Sequence, residues 1–424
     1  MNLRSAIGFL TAMLCWAVPV RAAPVTIVCG LAPESLELCR SGSEAWAKSR
    51  GQEVRVLAYP DSTTRSRDML GDLLQAGVTD LDVLELDIVW PGLLAPYLVD
   101  LAPALVDQRS QFVPVAVDSF SADGHLVAVP SSLSLGRLFY RTDLLARYGV
   151  RVPTTWDELT SAARTVQDGE RAAGRNEMWG YVWQGRAGEG LTVNALEWIA
   201  SRGAPGILGA DGSVVVEDPR AEAALAQASS WVETISPGQV LDMGGGESVD
   251  AFAKGNAAFL RSWSNLLPRL RAAEGAAGGN VGMAELPAGA GPEGRSAAVL
   301  GGFGLAVARN SKQQDLALDL VRWLTSVEEQ RRRALAGGGD PSLQELYTDP
   351  ELVARRPDYP DLLPAFAAAV LRPAATGRGA YDAVSAAFAG TVHRILTREV
   401  EPAAGLAQLA MQLRRLGPIQ RWGS

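Results

Sequence analysis

The sequence predicts an α/β protein of two domains, each built on a mainly parallel sheet flanked by helices. Apolar runs at residues 25–29, 54–58 and 81–88 alternate with segments that carry apolar residues at helical spacing. Such alternation is typical of a parallel sheet with helices on both faces. The chain has 424 residues, more than one hydrophobic core usually serves, so we expect two domains.

The remaining elements follow from local signals. Thr155 with Glu158 forms a capping-box pattern that predicts the start of a strong helix. Apolar runs predict further strands near residues 252–259, 281–286 and 301–307. Helical patterns cover residues 35–49, 219–235, 313–335 and most of 345–416.

Residues 1–22 have the pattern of a signal peptide. Arg4 precedes an apolar run at residues 6–18, and the small residues that follow suit cleavage after Ala22 or Ala23. The run is about a dozen residues, too short for a helix that crosses a bilayer of roughly 30 Å. We therefore expect export to the periplasm. Cys15 lies inside the run without the small residues that precede a lipidation site, so no lipid anchor is expected.

Composition and motifs argue against several functions. The formal net charge of −8 disfavours nucleic acid or an anionic membrane as the main partner, since both need a basic face. His125 and His393 lie far apart with no metal-ligand spacing. No Gly-x-Ser-x-Gly motif occurs, and the glycines at 301–304 lack a full dinucleotide or phosphate-loop pattern. We expect no catalytic residue, metal or cofactor.

Two cysteines, Cys29 and Cys39, remain after removal of the leader. An oxidising compartment would permit a disulfide between them. The alternative is one buried thiol on the first strand and one on the following helix. Spacing alone leaves both alternatives open.

Polar residues follow three of the predicted strands. In open α/β sheets, ligands bind at the carboxyl ends of strands, near helix N-termini. Residues around Glu34, the turn at 61–64 and Asp87 should therefore meet at one edge. The Ser/Thr cluster in the turn could simply cap a helix. Asp87 ends an apolar strand and precedes Trp90, a poor place for a carboxylate without a partner.

A series of blocks, spread in order over nearly the whole chain after the leader, carries a family resemblance. The most distinctive are LDVLELDIVWPGLLAP at 81–96, LFYRTDLL at 138–145 and EGLTVNALEW at 189–198. Further blocks lie at 153–159, 179–185, 255–259, 300–306 and 371–373. Together they resemble the carbohydrate-type solute-binding proteins of ATP-binding cassette (ABC) importers, in particular the trehalose/maltose-binding branch.

The resemblance implies two α/β lobes joined by crossing strands, with the ligand held between them by hinge closure. The first lobe would comprise residues 24–133 and 298–345, and the second residues 134–297 and 346–424. The expected function is capture of a sugar or sugar-like polar solute in the periplasm and its delivery, by a monomer, to the ABC permease. The alternatives are a ligand sensor for a membrane receptor and a secreted glycoside hydrolase using two carboxylates.

The resemblance also maps a pocket onto this chain. Sugar hydroxyls need carboxylate, amide and Arg partners, and the apolar face of a sugar ring needs an aromatic plate. The matching positions are Glu34 or Ser35 on the first loop, Thr63 or Thr64 on the second, Asp87 as carboxylate acceptor, Trp263 as stacking platform and Arg372 as reaching donor. Trp263 could instead pack a lobe core, and Arg372 could form a surface or inter-lobe salt bridge.

Several positions depart from the trehalose/maltose branch. Residues 131–134 are Ser-Ser-Leu-Ser where that branch has an aromatic residue and an aspartate, and Gly188 replaces a tyrosine. Asn265 also occupies a position where that branch has a tyrosine, and Gly301-Gly302-Phe303 occupy the positions of its Gly-Gly-Trp. The candidate positions thus include Ser134, Asn265, Gly302 and Phe303.

These departures change the expected ligand. Each lost contact is worth on the order of 1 kcal/mol or more, so trehalose and maltose should bind weakly or not at all. Either the pocket takes a different ligand, with Arg137 or Glu189 filling the gaps, or the protein has become a poor binder.

Overall fold

A computed structural model describes residues 23–31, 33–60, 63–374 and 380–416. Of residues 33, 34, 63 and 64 it describes the backbone only. The predicted signal peptide lies outside the described residues. Within them, no helix is long and apolar enough to cross a membrane.

The elements alternate along the chain as predicted for its first part. The strands are β1 Val25–Cys29, β2 Val54–Ala58, β3 Val83–Asp87, β4 Ser121–Ala122, β5 His125–Leu126, β6 Val129–Arg141, β7 Trp179–Val182, β8 Ala257–Trp263, β9 Val281–Ala284 and β10 Leu300–Val307. The helices of the amino-terminal half are α1 Pro33–Arg50, α2 Thr63–Gln75, α3 Pro91–Leu94, α4 Pro114–Ser119, α5 Thr142–Tyr148, α6 Trp156–Ala172 and α7 Glu189–Ser201. Those of the remainder are α8 Pro219–Trp231, α9 Gly245–Ala253, α10 Leu267–Ala272, α11 Gln314–Leu324, α12 Val327–Leu335, α13 Pro350–Arg355, α14 Tyr359–Ala367, α15 Tyr381–Leu396 and α16 Pro402–Arg415. The predicted cap at Thr155 is confirmed, because its side chain accepts a hydrogen bond from the Glu158 N–H.

The main sheet has the strand order β2-β1-β3-β10-β6-β8-β7, with β9 paired to β6. Strand β1 is parallel to β2 and β3, and β7 is parallel to β8. Strand β6 runs antiparallel to β10 through its first half and antiparallel to β8 and β9 through its second. A single strand thus joins two groups of α/β elements, and the predicted two-lobed α/β fold class is confirmed.

Two large hydrophobic clusters define the lobes. One cluster contains residues of β1, β3, β10 and α11. We call the part of the chain that packs around it the first lobe. The second lobe is the part packed around the cluster formed by α6, α7, α8, α15 and α16, with a smaller cluster around Phe139 and Phe252. Val370 pairs with Val299 where two further connections run between the lobes.

The packing of residues 346–366 differs from the expected lobe division, which assigns 346–424 to the second lobe. Buried residues from Leu343 to Phe366 belong to the first cluster, and only those from Val384 onward join the second. Tyr347 packs against the ring of Phe366 at a centroid distance of 5.6 Å. Helical periodicity shows that one face of a segment is buried. It does not show which of the two cores that face packs against.

Cys29 and Cys39 form a disulfide that links the end of β1 to α1. Of the two alternatives that the sequence left open, the structure thus shows the bridge. It closes a loop with a sequence separation of 10, so the connection from β1 to α1 is tied at both ends.

Replacing both cysteines with alanine is expected to lower the free energy of unfolding by about 2–3 kcal/mol, because the unfolded chain regains the entropy of that loop. Urea unfolding followed by fluorescence measures the change. A reducing agent should destabilise the wild type similarly and leave the double variant unaffected. Equal stability of both proteins in oxidising buffer would contradict the prediction.

Candidate functional site

The carboxyl ends of β1, β2 and β3 lie at one edge of the first lobe, because neighbouring parallel strands end together. Helices α1 and α2 begin at this edge, directly after β1 and β2. Glu34 and Ser35 lie in the first turn of α1, and Thr63 and Thr64 in that of α2. Ser35 is half-buried. The structure places these backbone positions on the same edge as Asp87.

Glu85 fixes the connection from β1 to α1. Its Oε2 accepts hydrogen bonds from the N–H groups of Gly30, at 2.8 Å, and Leu31, at 3.1 Å. The Tyr59 hydroxyl donates to the Glu85 carbonyl at 2.7 Å. Glu85 was not among the residues singled out from the sequence, although a carboxylate inside an apolar run, two residues before Asp87, was a usable signal.

Asp87 is the last residue of β3 and pairs with Phe303 of β10. Its side chain is 15% exposed, and Oδ1 accepts a hydrogen bond from the Val89 N–H at 3.2 Å. Burial raises the pKa of Asp87, against the opposing effect of the nearby Arg372 guanidinium. The carboxylate thus lies in a place that disfavours its charge, with one cation beside it.

Arg372 links the two lobes. Nη2 lies 3.7 Å from Oδ1 of Asp87 in the first lobe and donates to the Leu300 carbonyl. Nη1 donates to Oε1 of Glu189 in the second lobe at 2.9 Å. Burial lowers the pKa of Arg372, but Asp87 and Glu189 outweigh that and keep it raised. The inter-lobe salt bridge considered for Arg372 is therefore present.

Glu189, at the start of α7, is held by helix α15 as well. The Tyr381 hydroxyl donates to its Oε1 at 2.5 Å, and the Ser385 hydroxyl to its Oε2 at 2.6 Å. Ser385 Oγ also lies 2.8 Å from Thr192 Oγ1. Sequence reasoning missed Tyr381 and Ser385, although their i, i+4 spacing places them on one helix face.

A second ion pair connects α2 with α15. Nη1 of Arg67, in the first lobe, lies 2.5 Å from Oδ1 of Asp382. Burial raises the pKa of Asp382, while Arg67 lowers it. The amino-terminal end of α15 is thus tied to α2 by Arg67 and to α7 by Glu189.

Trp263 ends β8 at the boundary between the lobes. It is half-buried and packs against the second core. Core packing was the alternative considered for Trp263, and it covers part of the side chain. A Cβ built at Gly301 would lie 2.8 Å from the Trp263 ring and 2.7 Å from Ser134 Oγ. Glycine at 301 therefore lets the indole approach strand β10 closely, and Ser134 lies beside that contact.

The remaining candidate positions lie near the same boundary, with one exception. Gly302 accepts a hydrogen bond from the Ile88 N–H through its carbonyl at 3.0 Å, and Phe303 and Asn265 are half-buried. Arg137 is directed elsewhere, since its nearest carboxylate among the described residues is Glu285 of the second lobe, at 4.0 Å. Arg137 is not part of the group around Arg372.

The raised pKa of Asp87 has a predictable effect on stability. Because the folded-state pKa exceeds the unfolded one, Asp87 favours folding most below about pH 4, and that contribution is lost as the pH rises through the raised value. Asp87→Asn should therefore gain stability relative to the wild type as the pH rises from about 4 to 7. Urea unfolding at several pH values measures the difference.

Asp319→Asn is the matched control, with the opposite sign. The hydrogen bond from Arg50 lowers the pKa of Asp319, so this variant should lose stability relative to the wild type over the pH range in which Asp319 ionises. A flat or falling difference for Asp87→Asn would contradict the assignment.

Comparison with known proteins identifies the family. The family model of the bacterial extracellular solute-binding proteins matches residues 51–331. The chain therefore belongs to this family of solute-binding proteins.

Individual relatives match over nearly the full chain. A probable ABC transporter-binding protein of Deinococcus radiodurans is 36% identical over 410 residues, which cover 96% of this chain and 97% of the relative. Maltose-bound MalE3 of T. maritima superposes with a TM-score of 0.86 at 33% identity, over 93% of this chain and 100% of that one. A solute-binding protein from Agrobacterium radiobacter K84 in complex with ribitol gives 0.80 at 23% identity, over 94% and 100%. This last likeness concerns the fold alone.

Proposed function

We propose that the protein is the periplasmic binding component of an ABC importer and captures a sugar or polyol between its lobes. Membership of the solute-binding family supports transport rather than catalysis. The relatives whose names mention an ABC transporter and maltose support the importer and the ligand class. The observation that carries the proposal is the position of Asp87, a half-buried carboxylate at a strand end that lies beside the inter-lobe residue Arg372.

The proposed site has the chemistry of a sugar cleft. Asp87 would accept hydrogen bonds from ligand hydroxyls, and Trp263 would stack on the apolar face of the ring. Arg372 would exchange part of its contact with Asp87 for the ligand. Glu34, Ser35, Thr63 and Thr64 would contribute from the edge of the first lobe. Ser134, Asn265, Gly302 and Phe303 would form the wall next to Trp263.

The charges at this boundary favour a ligand without negative charge. Arg372 lies beside Asp87 and Glu189. Arg67 lies beside Asp68 and Asp382. The carboxylates of these described pairs thus outnumber their cations. A sugar phosphate would add charge of the same sign. Neutral saccharides and polyols fit better.

The sequence departs from the trehalose/maltose-binding branch that it resembles at the positions described above, so we expect both sugars to bind weakly. A thermal-shift screen of mono-, di- and oligosaccharides, polyols and glycerol phosphodiesters tests this together with the proposed function. A ligand at 100 times its Kd should stabilise the protein by about 2.7 kcal/mol. Strong stabilisation by trehalose would overturn the expected specificity.

Asp87→Ala then tests the site with any sugar that binds. We expect binding to be lost, because alanine removes the carboxylate that the proposal assigns as the acceptor for ligand hydroxyls. Asp80→Ala removes an exposed carboxylate of the same lobe, paired with Arg55, and should bind like the wild type. Full affinity of Asp87→Ala would refute the proposed site, and failure of every compound to stabilise the wild type would refute the ligand class.

A further inference from the structure

One face of the Trp263 indole is covered by a cation of the protein itself. The Cζ atom of Arg261 lies 4.4 Å from the centroid of the Trp263 ring. The two residues are two positions apart on β8, so their side chains leave the sheet on the same face. A guanidinium at this distance is attracted by the electrons of the ring face. Arg261 therefore restricts the face that the indole can offer to a ligand.

Arg261 is in turn held by Glu197 of α7. Its Nε donates to Glu197 Oε2 at 2.6 Å and its Nη2 to Oε1 at 2.5 Å. The side chains are 0% and 1% exposed. Two parallel hydrogen bonds fix the plane of the guanidinium as well as its position. The plane that lies against the indole is thus set by a carboxylate on another element.

The same carboxylate contacts the strands that join the lobes. Glu197 Oε1 accepts a hydrogen bond from the Val299 N–H at 3.0 Å, just before β10. Gly136 of β6 pairs with Trp263, and a Cβ built there would overlap with the Glu197 carboxylate. The buried pair therefore packs against β6 and against the residue that precedes β10, next to the indole.

We propose that the Glu197–Arg261 ion pair is a positioning device for Trp263. It holds the indole against the Arg261 guanidinium, and it links the ring to β6 and to the residue that precedes β10. Both are positioning residues, since both side chains are buried and would act through Trp263. The proposal rests on the proposed function, because it assigns Trp263 as the stacking surface.

The arrangement narrows the ligand class further. A ring whose rear face is occupied by a guanidinium has less negative potential to offer a second cation on its front face. It still offers apolar area for the C–H groups of a sugar. Trp263 should therefore select neutral sugars or polyols over quaternary ammonium compounds.

Fluorine NMR of the full chain labelled with 5-fluorotryptophan tests the positioning without a ligand. The resonance absent from Trp263→Phe identifies Trp263 among the tryptophans. In Arg261→Met this resonance should shift and broaden, because the ring loses its cation and its fixed orientation. Arg261→Lys keeps the charge but not the planar fork, so it should restore the wild-type resonance only in part.

Arg141→Met is the matched control. It breaks a pair with Asp143 at the end of β6, five residues along the strand from the Gly136 position that pairs with Trp263, where the side chains are 3% and 28% exposed. It should leave the Trp263 resonance in place. If Arg261→Met does not fold, the double variant Glu197→Leu with Arg261→Met removes both charges together, which proteins often tolerate, and the same shift is expected.

The proposal is overturned if the Trp263 resonance is unchanged in Arg261→Met or in the double variant. It is overturned equally if Arg141→Met moves that resonance as much. Failure of the proposed function gives a different result. In that case the resonance responds to Arg261→Met, but to none of maltose, trehalose, ribitol or the other compounds of the screen.

Discussion

Arg372→Met is expected to lower the free energy of unfolding by about 3–5 kcal/mol. The substitution leaves Asp87 and Glu189 without their shared cation and removes the donor to the Leu300 carbonyl. The guanidinium is only 4% exposed, so water cannot replace it. Urea unfolding followed by tryptophan fluorescence measures the loss, with circular dichroism to show that the variant folds.

Arg414→Met provides the control for this change. Arg414 pairs with Glu217 at the surface, where the side chains are 55% and 41% exposed. Exposed pairs contribute about 1 kcal/mol or less, so this variant should unfold nearly like the wild type. If Arg372→Met is no less stable than Arg414→Met, the contacts of Arg372 between the lobes do not contribute to the stability of the protein.

Gly136→Ala should be the other severe substitution, with a loss of at least about 3 kcal/mol. The added methyl group would overlap with the Glu197 carboxylate and approach Arg261 Nη2. Overpacking alone costs about 1–3 kcal/mol, and here it also separates a buried ion pair. The same unfolding experiment measures it, and the Trp263 fluorine resonance should shift as well.

Gly390→Ala shows the effect of an added methyl group where there is room. Gly390 lies inside α15, and a Cβ there would meet no other atom within 4 Å. Alanine favours a helix interior over glycine by about 0.5–1 kcal/mol, so this variant should be slightly more stable. Similar behaviour of the two alanine variants would show that the space beside Gly136 is larger than described.

The part of the site that lies on consecutive strands could be predicted from the sequence. Asp87 ends an apolar run, and the ends of parallel strands meet at one edge, so its position follows from periodicity and topology alone. The same reasoning places the first turns of α1 and α2 beside it. These inferences need no knowledge of how distant segments pack.

The contacts between distant segments could not be predicted in this way. Tyr381 and Glu189 are 192 residues apart, and nothing in local spacing pairs them. The approach of Trp263 to Gly301 depends on the register of β6 with β8 and with β10. Cys29 and Cys39 had suitable spacing, but a disulfide also needs a particular distance and direction between the side chains. Such features depend on three-dimensional packing.

Strand β6 has a consequence for the order in which the protein can fold during synthesis. β3 obtains its neighbour β10 only after residues 136–297, which form most of the second lobe, have been made. The second core in turn waits for α15 and α16, close to the carboxyl terminus. Each lobe therefore needs a segment that is synthesised after most of the other lobe. A growing chain must therefore leave the edge of β3 unpaired until residues 300–307 have been made, and the second core uncovered until α15 and α16 have followed.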